Sequence, residues 1–114
     1  MPPILLPRPT FVQAVRKRLE WLGENRSEEQ IDGFLAGLRA VRERIQNAPL
    51  AGPIVRQDAQ HLLRMRLFPR PLPYLVYYGH EHATDTSQVR EIYLVRLYGS
   101  GQKREGIDMS EWPW

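Results

Sequence analysis

Arginine is the residue type in this sequence with the clearest capacity for chemistry. Only Lys17 and Lys103 among the 16 lysines and arginines are lysines, and the net charge is +3. The planar guanidinium group donates paired hydrogen bonds to phosphate or carboxylate. Arg64 and Arg66 alternate with apolar residues over positions 62–68, which predicts a solvated strand face. These residues favour an anionic partner, either a nucleic acid or an acidic protein.

Few other side chains offer chemistry. Cysteine is absent, which excludes disulfides and thiolate sites, and no familiar metal-ligand spacing occurs, so neither a metal nor another cofactor is predicted. His80 and His82 flank Glu81, but adjacent strand positions point to opposite faces, so a solvated hairpin turn is predicted there. His61 is predicted to be structural or exposed. The segment 112–114, Trp-Pro-Trp, either covers the core or docks a partner.

The N-terminal half predicts two helices joined as an antiparallel hairpin. Capping boxes begin at Thr10 and Ser27, and apolar residues at helical spacing follow each of them. The helices are predicted over about 11–22 and 28–47. A strip of small residues on the second helix predicts close packing, with the first helix as the expected neighbour. This strip consists of Gly33, Ala36, Gly37 and Ala40.

The C-terminal half predicts a sheet. After a break rich in proline and glycine at 48–53, the hydrophobic period changes from 3.6 to 2, and strands are predicted over 62–68, 74–79 and 91–98. The last strand is nearly continuous in strand formers, so it is expected at the centre. Prolines would keep a possible first strand, 3–7, at an edge. We therefore predict an α+β fold in which a helical hairpin packs on a small antiparallel sheet, in the order β-α-α-β-β-β.

Length and composition limit the organisation of the chain. The 114 residues suit one domain, residues 1–114, and 42% hydrophobic with 25% charged residues is an ordinary globular composition. The start of the sequence has neither a basic leader nor a long apolar segment. We therefore expect a soluble cytoplasmic protein without a membrane segment.

This order of elements resembles the RelE/ParE superfamily of bacterial toxins. The helix exit at 48–52 is similar to the family's connection into the sheet. The stretch 63–67, followed by 73–78, is similar to the family's arginine strand and tyrosine strand, and the last strand, 92–97, with its basic turn, 99–104, also matches. The resemblance implies the toxin component of a type II toxin–antitoxin system, a function linked to plasmid stabilisation, with a cognate antitoxin protein as partner.

In the RNA-cleaving members of this family, the ribosome-bound toxin cuts messenger RNA with basic side chains and a tyrosine or histidine. Guanidinium groups can stabilise the charge that builds up when the 2′-hydroxyl attacks phosphorus, and a tyrosine can move protons. The resemblance implies the catalytic residues Arg64, Arg66, Arg96, Tyr98 and Arg104. It implies RNA contacts at Arg56, Arg70 and Lys103. Trp21, beside the apolar stripe of the first helix, is predicted to anchor the partner.

The sequence also departs from these RNA-cleaving members. The segment 54–60 has a single arginine where several basic groups are usual, and no tyrosine follows Lys103 and Arg104. The leading prediction is a ribosome-dependent mRNA endoribonuclease. The alternatives are a ParE-like inhibitor that poisons DNA gyrase by contact without catalysis, and a non-toxic homologue that binds an antitoxin or nucleic acid.

Overall fold

A mixed sheet with a helical hairpin packed on it forms the architecture. The computed structural model describes residues 2–99, 101–104 and 106–114. The main elements are β1 (Ile4–Pro7), α1 (Pro9–Asn25), α2 (Glu28–Asn47), β2 (Ile54–Gln57), β3 (His61–Leu67), β4 (Tyr74–Glu81) and β5 (Glu91–Gly99). Two helices on a five-stranded sheet confirm the predicted α+β class. No helix in the described part of the chain is long and apolar enough to cross a membrane.

The strand order is β1-β5-β4-β3-β2, and β1 pairs with β5 in parallel. The predicted antiparallel sheet is therefore wrong at this edge, because the helical hairpin carries the chain from β1 across to the far edge of the sheet. The strand β2 was not predicted, since all four of its side chains are exposed and show no alternation. With β1 and β2 at the edges, β4 lies at the centre instead of β5.

The helices differ from the predictions in two ways: where the first helix begins and what the second helix packs against. The first helix begins at Pro9, with Arg8 as its N-cap, because proline lacks an N–H and has a φ suited to the first helical position. The predicted capping box at Thr10 is therefore wrong. Gly37 packs against the β3–β4 connection and not against α1, since a Cβ there would lie 2.5 Å from Leu72 Cδ1 and 2.9 Å from Phe68.

Both faces of the sheet are covered. The face towards the helices carries a cluster that includes Phe34, Val41, Ile45, Val76, Tyr78, Ile92 and Leu94. The opposite face carries a second cluster, comprising Leu63, Leu75, Tyr77, Val95, Tyr98 and Ile107, with Met65, Tyr93, Met109 and Trp114 packed against it. The C-terminal segment, residues 106–114, lies over this second face. Neither face of the central strands is therefore open to water.

The tryptophans of the C-terminal segment pack on side chains of the sheet. The ring of Trp112 stacks on His61, with 4.3 Å between centroids, and meets Tyr93 edge to face at 5.1 Å. Gly79 makes room for both tryptophans, since a Cβ there would lie 2.6 Å from Trp114 and 2.8 Å from Trp112. Of the two roles left open for this segment, the structure assigns it the covering of the core.

We predict that Leu94→Ala strongly destabilises the fold. The Leu94 side chain is 0% exposed, and truncation of a buried leucine leaves a cavity that costs about 2–5 kcal/mol. Leu67→Ala is the matched control, because Leu67 is 57% exposed and surface changes cost about 0.5 kcal/mol or less. Denaturant unfolding of the two variants tests this, and equal losses would contradict the burial of β5.

Candidate functional site

A cleft of about 550 Å³ lies between α1 and the C-terminal half of β5. Its cationic lining residues are Lys17, Arg18, Arg96 and Lys103, and its aromatic lining residues are Trp21, Tyr74 and Tyr98. Thr10, Gln13 and Gln102 add neutral polar groups, and Leu97 and Gly99 belong to the strand that lines the cleft. We call this the basic cleft.

The basic cleft exists because β1 stops short of the end of β5. The last pair in the parallel ladder is Pro7 with Leu94, and the Arg8 N–H donates to the Leu94 carbonyl at 2.9 Å. Pro7 and Pro9 have no N–H to donate, and the chain enters α1 at Pro9. The pairing of β1 with β5 therefore ends at Leu94, and α1 passes beside the rest of β5.

The electrostatic character of the basic cleft is uniform. Its described lining residues include four cationic side chains and neither an acidic side chain nor a histidine. The Arg18 guanidinium lies 5.3 Å from the centre of the Trp21 ring and 5.4 Å from that of Tyr74, and Arg26 lies 4.8 Å from Trp21. These cation–π contacts hold positive charge against aromatic walls. The site therefore suits a ligand with both anionic and apolar groups.

Four of the residues predicted from the sequence meet at this cleft. They are Trp21, Arg96, Tyr98 and Lys103. Trp21 is 40% exposed, whereas Tyr98 is 4% exposed and packs edge to face on Tyr77 at 5.2 Å. Arg104 is exposed next to Lys103. Tyr98 thus contributes to the wall of the cleft and has little freedom to enter it.

Arg64 lies elsewhere and does not face solvent. It is 9% exposed, and its Nε donates to His80 Nε2 at 3.1 Å, while its Nη1 donates to the carbonyls of Leu50 at 3.1 Å and Gly52 at 2.7 Å. The predicted solvated face is wrong because both faces of β3 are covered, so alternation could not reveal an exposed side. Arg66 is half-buried, two residues further along the same face.

The predicted position of His80 is also wrong. Instead of lying in a solvated turn, it is 0% exposed near the end of β4. Its Nδ1 donates to the Glu81 carbonyl at 2.7 Å, which leaves Nε2 to accept from Arg64. Burial lowers the pKa of His80 below its ordinary value, and the charge of Arg64 lowers it further. His80 is therefore a neutral structural group that orients Arg64.

The remaining predicted contacts, Arg56 and Arg70, do not line the basic cleft. Arg56 is exposed on β2, at the opposite edge, and its Nη1 donates to the Ile107 carbonyl at 3.3 Å. Arg70 is exposed in the β3–β4 connection. His61, predicted to be structural or exposed, is partly buried, and its Nδ1 lies 3.3 Å from Asp58 Oδ2. No group of three metal-ligating side chains occurs among the residues that the structure describes.

Sequence reasoning missed Lys17 and Arg18 as site residues. Gln13, Lys17 and Trp21 recur every four residues, so they share one face of α1. That spacing was a usable signal, but a charged helix face is ordinarily solvated, and only the position of α1 beside β5 makes it part of a cleft.

Comparison of this sequence with known proteins found no relative. No protein-family model matches the sequence, and no curated protein matches it.

We predict that Arg64→Ala destabilises the protein by about 1–3 kcal/mol, because it removes the donor to His80 and to two backbone carbonyls that then lack a partner. Arg66→Ala is the control, since Arg66 is half-buried and forms no hydrogen bond among the described residues; a loss of about 0.5 kcal/mol is expected there. Thermal and denaturant unfolding measure both. A larger loss for Arg66→Ala would contradict the structural role of Arg64.

A second prediction concerns pH. The unfolded chain protonates His80 near its ordinary pKa of 6.5, whereas the folded chain does so only at lower pH. Stability is thus fully present above about pH 6.5 and falls below it, by up to about 1.4 kcal/mol per pH unit, until the folded group also protonates. Unfolding measured between about pH 8 and pH 5 should show this loss. His80→Gln should flatten the profile, whereas His82→Gln, at an exposed site, should not.

Proposed function

We propose that this chain is the toxin component of a type II toxin–antitoxin pair of the RelE/ParE kind, and that it acts on its target by binding. The observed order, a strand, a helical hairpin and then a meander of antiparallel strands, supports the resemblance stated above. The observation that carries the mode of action is the basic cleft, whose described lining residues supply cations and aromatic walls and include neither a histidine nor a carboxylate. DNA gyrase is the target that a ParE-like toxin implies.

The positions of the predicted catalytic residues favour binding over cleavage. Cross-strand partners share a sheet face, and Arg66 pairs with Val76 on the face towards the helices. Tyr98 pairs with Leu75 on the face under the C-terminal segment. The arginines of β3 and the tyrosine of β5 thus project from opposite faces with β4 between them. The guanidinium of Arg64 is also occupied by its three acceptors.

Proton transfer is the second difficulty for a cleavage mechanism. General acid–base catalysis works best with a group whose pKa lies near the working pH. A phenol ordinarily ionises near pH 10 and an arginine above about pH 12, and no described residue that lines the cleft is a histidine or a carboxylate. His80 is buried, with both ring nitrogens in hydrogen bonds. A cleft of this kind can hold an anionic partner without transforming it.

One observation favours the ribosome-dependent mRNA endoribonuclease as a second candidate. Arg96, Lys103 and Tyr98 line the same cleft, so two cations and one phenol could face a phosphodiester together. Such an enzyme would stabilise the transition-state charge with the cations and would need the Tyr98 hydroxyl for a proton. This requirement separates the two candidates experimentally.

Induced expression in bacteria should stop growth, and the double variant Arg96→Ala with Lys103→Ala should relieve the inhibition. Tyr98→Phe keeps the ring and should stay toxic if binding suffices. Arg39→Ala with Arg42→Ala is the charge-matched control, because both arginines are exposed on α2 and neither lines the cleft. Supercoiling by gyrase, and message integrity on purified ribosomes, identify the target in vitro.

Three results would contradict this proposal in different ways. Cleaved message that disappears in Tyr98→Phe would establish the endoribonuclease. Harmless expression of the folded chain, with no affinity for the product of the neighbouring gene, would favour the non-toxic homologue. Full toxicity of the Arg96 and Lys103 double variant would exclude the basic cleft as the site of action.

A further inference from the structure

We infer that the basic cleft binds a nucleoside polyphosphate, with the base against Trp21 and the phosphates on the cations. The inference goes beyond the proposed function, because a small ligand in this cleft would exclude a macromolecular target and so regulate the protein. It depends on three features: an arginine that lies over two aromatic rings, a cleft that is bounded at one end, and a described lining that supplies cations and aromatic rings without carboxylates.

Arg18 is a partly buried cation whose hydrogen-bond donors have no acceptor among the described residues. Its guanidinium lies 5.3 Å from the centre of the Trp21 ring and 5.4 Å from that of Tyr74. Tyr74 is fixed in turn, since its ring packs on Phe34 at 5.0 Å and on Phe68 at 5.3 Å. A positioned guanidinium with unmatched donors suits an anion that brings several acceptor oxygens.

Three further cations extend the positive charge along the cleft. They are Lys17 on α1, Arg96 on β5 and Lys103 in the turn after β5. Arg18 Nη2 would lie 3.0 Å from a Cβ at Gly99, so this guanidinium lies against the end of β5. Linked phosphates carry negative charge along their length, and guanidinium groups bind phosphate through paired hydrogen bonds. A polyphosphate therefore matches this set of cations better than a single phosphate does.

The aromatic end of the cleft favours a ligand with a flat ring. Trp21 is 40% exposed, and Arg26, which lies 4.8 Å from the centre of its ring, does not line the cleft. Nucleobases stack on aromatic side chains and on guanidinium planes, and both kinds of group meet here in Trp21 and Arg18. The base is therefore expected at the Trp21 end, with the phosphates on the cations further along.

The dimensions of the cleft suit a small ligand better than a polymer. Its volume of about 550 Å³ lies within the usual range of ligand sites, about 300–1,000 Å³. From Thr10 to Trp21 the helix advances by about 16 Å. At the Thr10 end the chain passes from β1 into α1, and the Arg8 N–H donates to the Leu94 carbonyl at 2.9 Å. A ligand that terminates there fits, whereas an RNA strand would have to leave the cleft.

The lining also predicts how the phosphates are held. Mg²⁺ is usually bound by carboxylates together with the phosphates of the nucleotide, but no carboxylate occurs among the described residues that line this cleft. The cations are therefore expected to contact the phosphates directly, and Mg²⁺ would compete with them for the same oxygens. Nucleotide binding should be tighter without Mg²⁺ than with it, and the bound nucleotide should not be hydrolysed.

The test uses the purified full chain, with affinity measured by titration calorimetry at low salt without Mg²⁺. ATP and GTP should bind more tightly than inorganic tripolyphosphate by about fivefold or more, because the stacked base adds to the phosphate contacts. Arg18→Gln should weaken ATP binding by about tenfold or more. Arg16→Gln is the matched control, since it removes the same charge from an exposed position on α1 that does not line the cleft, and it should leave the affinity nearly unchanged.

Trp21→Leu separates recognition of the base from binding of the anion. This variant should lower the affinity for ATP to that for tripolyphosphate and should leave tripolyphosphate binding unchanged. Equal affinity of the unaltered chain for ATP and tripolyphosphate would overturn recognition of a nucleotide. Full ATP affinity in Arg18→Gln would overturn the site. Binding of a single-stranded RNA oligonucleotide without binding of ATP or GTP would assign the cleft to RNA.

Failure of this inference is distinguishable from failure of the proposed function. If expression stops growth but neither ATP nor GTP binds, the nucleotide inference falls and the toxin proposal stands. If the nucleotides bind as expected while expression is harmless, the inference stands and the toxin proposal falls.

Discussion

The short parallel ladder between β1 and β5 is the constraint on which the candidate site depends. Two prolines flank Arg8, and only the Arg8 N–H extends the pairing to the Leu94 carbonyl. Proline cannot donate to a ladder and is well suited to start a helix, so the chain leaves the sheet at Pro9. The strand β1 does not pair with β5 beyond Leu94, and α1 lies beside that part of β5. A longer β1 would have filled the space that now forms the cleft.

The hydrogen bonds of Arg64 hold together β3, β4 and the segment that follows α2. Arg64 reaches from β3 to the carbonyls of Leu50 and Gly52, and His80 on β4 holds its Nε. The Tyr78 hydroxyl donates to the Pro49 carbonyl at 2.7 Å in the same region, and burial raises the pKa of this tyrosine. Together these hydrogen bonds connect the segment after α2 to β3 and β4. Burial of a guanidinium is costly unless hydrogen bonds offset it, and here Arg64 Nε and Nη1 donate to three acceptors.

Some basic residues stabilise the fold, and others line the cleft. Arg64 of β3, which was predicted to be catalytic, holds the fold together through its hydrogen bonds. The cations that line the cleft come from α1, β5 and the turn after β5. The C-terminal segment packs on the face of the sheet opposite the helices, where Tyr77 of β4 and Tyr98 of β5 are buried. What remains accessible is an edge of the sheet, which suits recognition of a partner better than chemistry on a substrate.

The sequence by itself determined the α+β class, the helical hairpin and four of the strands, including the possible first strand at an edge, because helical spacing, period-two alternation and proline breaks are local signals. It also identified Trp21, Arg96 and Lys103, which meet in the cleft. Tertiary structure alone decided the parallel partner of β5, the exposed strand β2 and the burial of Arg64 and His80. Alternation along β3 shows that two faces differ but does not show which of them faces water, and here other elements cover both. Lys17 and Arg18 became site residues for a similar reason, since the spacing along α1 defines a helix face but not what lies opposite it.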